Sequence, residues 1–307
     1  MCDVSYPRRV LPQCTQLVTR RTVDQKFLLK PTQELNETLR YLLALYAKRH
    51  NVLLHAFCVL SNHMHLFKTD EQAEMPAFMR DLNAQTTRRV NSLTSRRGPL
   101  WDARKYSNVE VYGEAATWDK LVYVITNPIR HGLVGSPEEW PGLVSSLMEI
   151  RARKTLVKRP DLPCFRNSTL PKEVELELTI PPALSHLPFE VYVSQLEARV
   201  AERISKLSQG VSAERRTFLG AERVLAASHE DRPKAKAGRI GQLDPRLSCL
   251  EEDRSLLEER IQELRDWRNA YYEARRRWVQ DRAVVFPHGT YAMRVYHNAH
   301  VAPRLKL

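Results

Sequence analysis

The chain has 307 residues, 43% hydrophobic and 27% charged, a balance that fits a water-soluble globular protein with a sizeable core and room for two domains. No apolar run approaches the ~20 residues needed to cross a bilayer, and the opening MCDVSYPRRV lacks the apolar stretch of a secretory signal, so no membrane role is expected and the cytoplasm is the expected compartment. The five cysteines, Cys2, Cys14, Cys58, Cys164 and Cys249, form no C-x-x-C pair, which argues against a zinc ribbon or a disulfide framework, while a net charge of +12 favours a polyanionic partner.

In chain order, TQLVTRR (15–21) reads as a strand, and a helix follows Pro31 and Thr32 with Leu35, Leu39, Leu42 and Tyr46 at helical spacing. NVLLHAFCVL (51–60) reads as a buried strand that holds Cys58, and HMHLFKT (63–69) as another. Only Ser61 and Asn62 separate them, the loop length of a tight hairpin. A second helix is expected over about 74–91, with Met75, Phe78 and Leu82 inward. SNVEVYG (107–113) follows as a short strand and EAATWDKLVYVIT (114–126) as a third helix. This order, with its central hairpin, predicts an α+β fold: an antiparallel sheet backed by helices.

Two basic clusters stand out. Arg88, Arg89, Arg96, Arg97, Arg104 and Lys105 gather around Trp101 and Tyr106. RARKTLVKRP (151–160) contributes Arg151, Arg153, Lys154, Lys158 and Arg159 with no acid among them. Arginines interleaved with aromatics suit nucleic acid, pairing with phosphates while bases stack.

Beyond 150 the prolines at 160, 163, 171, 181 and 182 suggest connecting segments. Amphipathic helices are expected at 189–207 and 213–228, a basic flexible linker near 229–245, and a charged helix with a solvated face over about 250–280. The last stretch mixes strand propensity with a Pro-His-Gly turn. Residues 1–150 and 151–307 are therefore expected as two units, the second mainly helical and without a motif that converts into chemistry.

On a strand, His63, His65 and Phe67 share one face, with successive same-face residues about 6.5 to 7 Å apart. Two imidazoles at that spacing either pack into a core or lean towards one ion. On the helix at 114–126, Trp118, Leu121, Val122 and Ile125 form one stripe, and Tyr123 and Asn127 fall opposite it. Tyr123 is then either a surface residue or part of a site. Asn127, before Pro128, either marks a kink or caps a new turn, and Gly132 suits a C-cap.

Taken together, these motifs resemble a known family. His63-Met64-His65 resembles the His-hydrophobic-His (HUH) motif of single-strand DNA nucleases and transposases. LVYVITNPIRHGLV (121–134) resembles the tyrosine helix of the single-tyrosine transposases, closest to the REP-associated tyrosine transposases, whose tyrosine is followed four residues later by Asn-Pro. GPLWDARKY (98–106) and EEWPGLVSS (138–146) resemble that family's Trp-containing segments, and the likeness runs over residues 8–148. It implies a ferredoxin-like antiparallel sheet, Tyr123 as nucleophile, and His63, His65 and Asn127 as ligands of Mg²⁺ or Mn²⁺. It also implies single-stranded DNA beside a hairpin as substrate, and a possible homodimer in which Tyr123 serves its own site or a neighbour's.

A phenol is mostly protonated near neutral pH and a weak nucleophile, so a metal on the scissile phosphate would make attack feasible. The products would be a 5′-phosphotyrosine and a free 3′-OH, a pair that can rejoin strands without ATP. The alternative is a domesticated protein that grips DNA hairpins without cutting. A third reading, an amidohydrolase with its H-x-H on a barrel strand, needs further histidines at later strand ends of a βα repeat, and the sequence has no such repeat.

Overall fold

The computed structural model describes residues 7–103, 106–234, 246–250 and 254–303. The first elements are β1 (Cys14–Arg21), α1 (Gln33–Arg49), β2 (Val52–Leu60), β3 (His63–Asp70), α2 (Met75–Leu93) and β4 (Ser107–Val111). The Thr32 hydroxyl starts α1 by accepting the Leu35 N–H at 3.1 Å, and Leu35, Leu39, Leu42 and Tyr46 are all buried along its inner face. Asp70 starts α2, its two carboxylate oxygens accepting the N–H groups of Glu74 and Met75 at 2.9 and 2.8 Å.

These strands pair antiparallel in the order β2-β3-β1-β4, and with the βαββαβ sequence this is the ferredoxin-like arrangement. The β2–β3 hairpin turns through Ser61 and Asn62, with Leu60 opposite His63. Both sheet edges are covered, as solvent-stable sheets require. Beside β2, Val59 N–H donates to Leu143 O at 2.7 Å, and Trp140 donates its indole N–H to Val59 O at 3.1 Å.

Next come α3 (Glu114–Ile125) and the single turn α4 (Asn127–Arg130), split at Thr126 ahead of Pro128. Gly132, at φ +67, ends that turn in the left-handed region, with its N–H on Ile129 O.

Several expectations for the second half need correction. After α5 (Leu147–Ala152), the segment expected as connection holds a two-stranded antiparallel sheet, β5 (Lys154–Lys158) with β6 (Glu173–Glu177). KTLVK and EVELE alternate polar and apolar, and the buried Val157, Val174 and Leu176 join the main core, which is why the prolines do not prevent pairing. Helices α6 (Phe189–Ala213) and α7 (Ala221–Ala226) follow, the first longer and the second shorter than expected.

The linker expected near 229–245 lies partly outside the described residues, at 235–245. Its start at 229–234 lies against the loop after β1, where Phe27 N–H donates to Asp231 O at 2.9 Å. Then β7 (Arg246–Ser248) pairs parallel to β4, so the five-stranded sheet is mixed rather than purely antiparallel.

The charged helix is α8 (Arg254–Trp278), and its outward charges leave an apolar stripe. Leu264, Trp267, Tyr271 and Ala274 make a second core with Val284, Phe286, Met293 and Ala299. The last stretch, read as mixed strand propensity around a Pro-His-Gly turn, forms an isolated bridge between Phe286 and Val301 and the helix α9 (Tyr291–His297), where Tyr291 and Met293 are buried. Among the cysteines, Cys14, Cys58 and Cys164 are free and Cys58 is buried, while Cys2 lies outside the described residues. No helix among the described residues is long and apolar enough to cross a membrane.

At a register shift of β2 against β3, His55 is fully buried, with Nδ1 on Thr179 O at 2.9 Å and Nε2 on the Thr69 hydroxyl at 2.8 Å. Burial is the first cause that pulls its pKa down, from 6.5 to about 4. The unfolded chain therefore binds the extra proton first, so stability is full above 6.5 and falls as pH drops from there towards 4. The expected loss is roughly 3 kcal/mol from this residue alone. Urea melts at pH 7 and pH 5 check it: His55→Gln flattens the decline, and an equal decline in both proteins would sink the assignment.

Candidate active site

His63 and His65 project from one face of β3, and their ring centroids lie 4.8 Å apart and nearly perpendicular. Local structure fixes their orientation. Thr22, fully buried, donates its hydroxyl towards Lys26 O at 2.6 Å and lies 3.0 Å from Asn62 O, which pins the hairpin turn. Asn62 Oδ1 then accepts the Nδ1–H of His63 at 2.7 Å, so the lone pair of His63 sits on Nε2. His65 places Nδ1 2.8 Å from the Thr19 hydroxyl, directly across the β1–β3 ladder, and its Nε2 is buried with no protein partner. Such outer contacts aim an imidazole at a ligand.

Burial holds the His65 pKa down to about 3 and that of His63 well below the ordinary imidazole range, with charges at His131 and Arg21 adding to both shifts. Both rings are thus neutral at pH 7, the form that binds a cation.

Helix α3 brings Tyr123 to the same place. Its ring is edge-on to His65 with centroids 5.3 Å apart, and the Arg130 guanidinium lies 5.4 Å from the ring centre. Asn127, one turn later, is completely buried, and neither its Oδ1 nor its Nδ2 has a protein partner. Two buried amide atoms without partners are costly, and the Oδ1 of Asn127 and the orphan Nε2 of His65 are the kinds of oxygen and nitrogen atom that a cation takes as ligands. Among the described residues no three His, Cys, Asp or Glu side chains form a metal cluster, so the candidate set is these two histidines and the amide.

Three residues at this site were not foreseen. His131 stands at the rim with its ring 5.5 Å from that of His63. Arg21 lies opposite His63 in the β1–β3 register, close enough for its charge to lower all three imidazole pKa values. Arg246 of β7 donates to the Ser107 hydroxyl at 2.6 Å, and Ser107 is aligned through Thr19 with His65. His131 sits in the quoted NPIRHG segment and was a usable signal. The two arginines emerge only once the strand register is known.

The expected DNA contacts are placed unevenly. Arg88 and Arg97 are exposed, whereas Arg89 donates to Cys164 O with its guanidinium 4.3 Å above Phe165. Arg96 donates to Pro99 O at 3.1 Å and to Asn91 at 3.3 Å. Trp101 is 7% exposed and gives its indole N–H to Asn83 O at 3.1 Å, so its ring belongs to the core. Arg104 and Lys105 lie outside the described residues.

In the second cluster Lys154 pairs with Glu175 at 2.9 Å and Glu177 at 3.7 Å, and Arg151 with Glu197. Arg159 donates to the carbonyls of Ser168 and Leu170, Arg153 lies 5.1 Å over Phe189, and Lys158 is exposed. Acids on β6 and α6, hidden in a linear reading, balance much of this cluster.

A ferredoxin-like sheet carrying an H-x-H strand, with a helical tyrosine packed against it, is the arrangement that the HUH single-tyrosine resemblance implies. Comparison with known proteins supports that class over part of the chain. Residues 17–117 match the family model described as "Transposase IS200 like", a span that contains both histidines and ends before Tyr123.

Among solved structures, a REP-associated tyrosine transposase bound to a REP hairpin is similar at 16% identity and a TM-score of 0.40. That similarity covers 58% of this chain and 95% of that one. A Deinococcus radiodurans R1 protein described as a transposase candidate is similar at 20% identity and a TM-score of 0.28, covering 40% and 97%. No curated protein sequence matches the chain.

Proposed function

We propose that the chain is a metal-dependent single-stranded DNA endonuclease and strand transferase, a transposase that acts beside hairpins. Its chemistry is assigned to residues 1–150, with 151–307 as a mainly helical extension of which β5, β6 and α6 share the core of the sheet. The observation that carries this reading is the meeting of Tyr123 with His65, alongside the buried, unpartnered atoms of His65 and Asn127. The family match over residues 17–117 supports it.

His63, His65 and Asn127 would hold Mg²⁺ or Mn²⁺, with water and phosphate completing an oxygen-rich shell. The ion would supply Lewis-acid polarisation of the scissile phosphate. The Tyr123 oxygen forms the new bond to phosphorus and loses its proton. The bond to the 3′-oxygen breaks, and that oxygen leaves as a hydroxyl after taking up a proton. Arg21 and Arg130 flank the reacting phosphate with positive charge, and the exposed Arg88, Arg97 and Lys158 offer contacts to the backbone. The Tyr123 ring lies 5.3 Å from that of His65 in the same chain, which supports a reading in which Tyr123 serves its own site.

The test incubates the full chain with hairpin-flanked single-stranded oligonucleotides and Mn²⁺, followed by mass spectrometry of its peptides. The expected product is the Tyr123 peptide carrying 5′-phosphorylated DNA, absent when EDTA is added. Hairpin binding without any adduct would instead identify the non-cutting alternative.

A further inference from the structure

On the sheet face away from His63 and His65, a groove of about 1010 Å³ runs between the start of α2, the approach to β4 and the helices α8 and α9. It belongs to the extension as much as to the sheet. Tyr271 and Tyr291 are buried in its floor, and Tyr272 and Tyr296, 36% and 63% exposed, stand on it. Each floor ring meets a standing ring edge-on, with centroid distances of 5.6 Å for Tyr271–Tyr272 and 6.4 Å for Tyr291–Tyr296.

The cations are arranged among these rings. Arg275 and Arg276 are exposed on the last turn of α8, and Arg275 donates to the Tyr271 hydroxyl at 3.2 Å. Arg8 lies across the groove, its guanidinium 4.2 Å from the ring centre of Tyr106. Among the described residues no Asp or Glu lines the groove, although Glu74 lies near Tyr291.

We propose that this groove is a second nucleic-acid site that holds single-stranded DNA flanking the cleaved position, with bases stacked on Tyr272 and Tyr296 and phosphates on Arg275 and Arg276. The choice of DNA rests on the function proposed above. Charge decides between nucleic acid and an apolar peptide: Arg275 and Arg276, exposed and with no carboxylate among the described lining residues, complement a polyanion. Exposed aromatic rings accept any base, which suits a flank of unspecified sequence. An apolar peptide would gain from the rings but leave the charges of Arg275 and Arg276 unmatched.

The test measures binding in EDTA, with Tyr123→Phe in every protein, so cleavage plays no part and a failure here is distinct from a failure of the catalytic reading. Fluorescein-labelled oligothymidylate is titrated with the full chain and followed by anisotropy across a salt series. Tyr272→Ala with Tyr296→Ala is expected to weaken binding roughly tenfold or more, while the corresponding Phe pair keeps it. Arg275→Glu with Arg276→Glu is expected to weaken binding and to reduce the salt slope by about 1.4, the value for two phosphate contacts on a single strand. Photocrosslinking with bromodeoxyuridine should mark peptides within α8 or α9. Affinity and salt slope unchanged in both pairs, or crosslinks confined to residues around the histidines, would overturn the proposal.

Discussion

A Tyr123→Phe variant is expected to form no covalent adduct with single-stranded DNA while folding as the parent does. Among the described residues the Tyr123 hydroxyl makes no hydrogen bond to protein, whereas its ring packs edge-on against His65 and beneath Arg130. Phenylalanine keeps both ring contacts and loses only the attacking oxygen. Loss of a nucleophile leaves binding and electrostatics intact but removes the covalent step, a deficit on the order of 10⁴-fold or more.

Tyr192→Phe is the matched control, because that hydroxyl is buried without a partner on α6, against the other side of α3. It should form adduct normally and melt no lower than wild type, since an unpaired buried hydroxyl costs stability. Gel-shifted adduct and thermal denaturation read both outcomes. Adduct formation by Tyr123→Phe at the wild-type rate would end the assignment of Tyr123.

The sequence makes the core sheet legible because its signals are local. Two turn residues join β2 to β3, Thr32 caps α1, and alternation puts His63 and His65 on one face. The helical wheel of α3 separates Tyr123 from the apolar stripe but does not describe its surroundings, because Tyr123 is partly buried against the same core. The stripe of Trp118, Leu121, Val122 and Ile125 is buried, but so are Val124 and Asn127 on the other side. Trp118 stacks on Tyr192 of α6 at 5.5 Å, while Tyr123 meets β3, so α3 is enclosed from both sides. A wheel identifies faces and not what covers them.

The same limit hid Arg21 and Arg246, whose relation to the histidines depends on strand register. It also hid the acids of β6 that neutralise the basic run at Lys154. The groove between α8 and α9 was the least legible feature, because Tyr271, Tyr272, Tyr291 and Tyr296 converge only once α9 folds back beside α8, and Arg8 and Tyr106 join them from much earlier in the chain.

Asn127→Ala is expected to weaken Mn²⁺ binding by roughly ten- to a hundredfold while changing stability little. Asn127 is wholly enclosed at the start of α4, and both of its polar side-chain atoms lack protein partners. An amide kept for the kink before Pro128 would be expected to cap a backbone group, and the Thr126–Asn127 junction shows no such side-chain bond. Removing it forfeits packing but also relieves an unsatisfied buried group worth about 1–3 kcal/mol, so the two terms oppose each other in the melting temperature.

His65→Ala differs in kind. It deletes a proposed ligand and also the contact with Thr19, so both Mn²⁺ affinity and stability should fall. Titration of Mn²⁺ followed by electron paramagnetic resonance, alongside thermal denaturation, separates the two residues without reference to DNA cleavage. If Asn127→Ala bound Mn²⁺ as wild type does but melted well below it, the amide would be a structural part of the kink. His63 and His65 would then need their oxygen ligand from elsewhere.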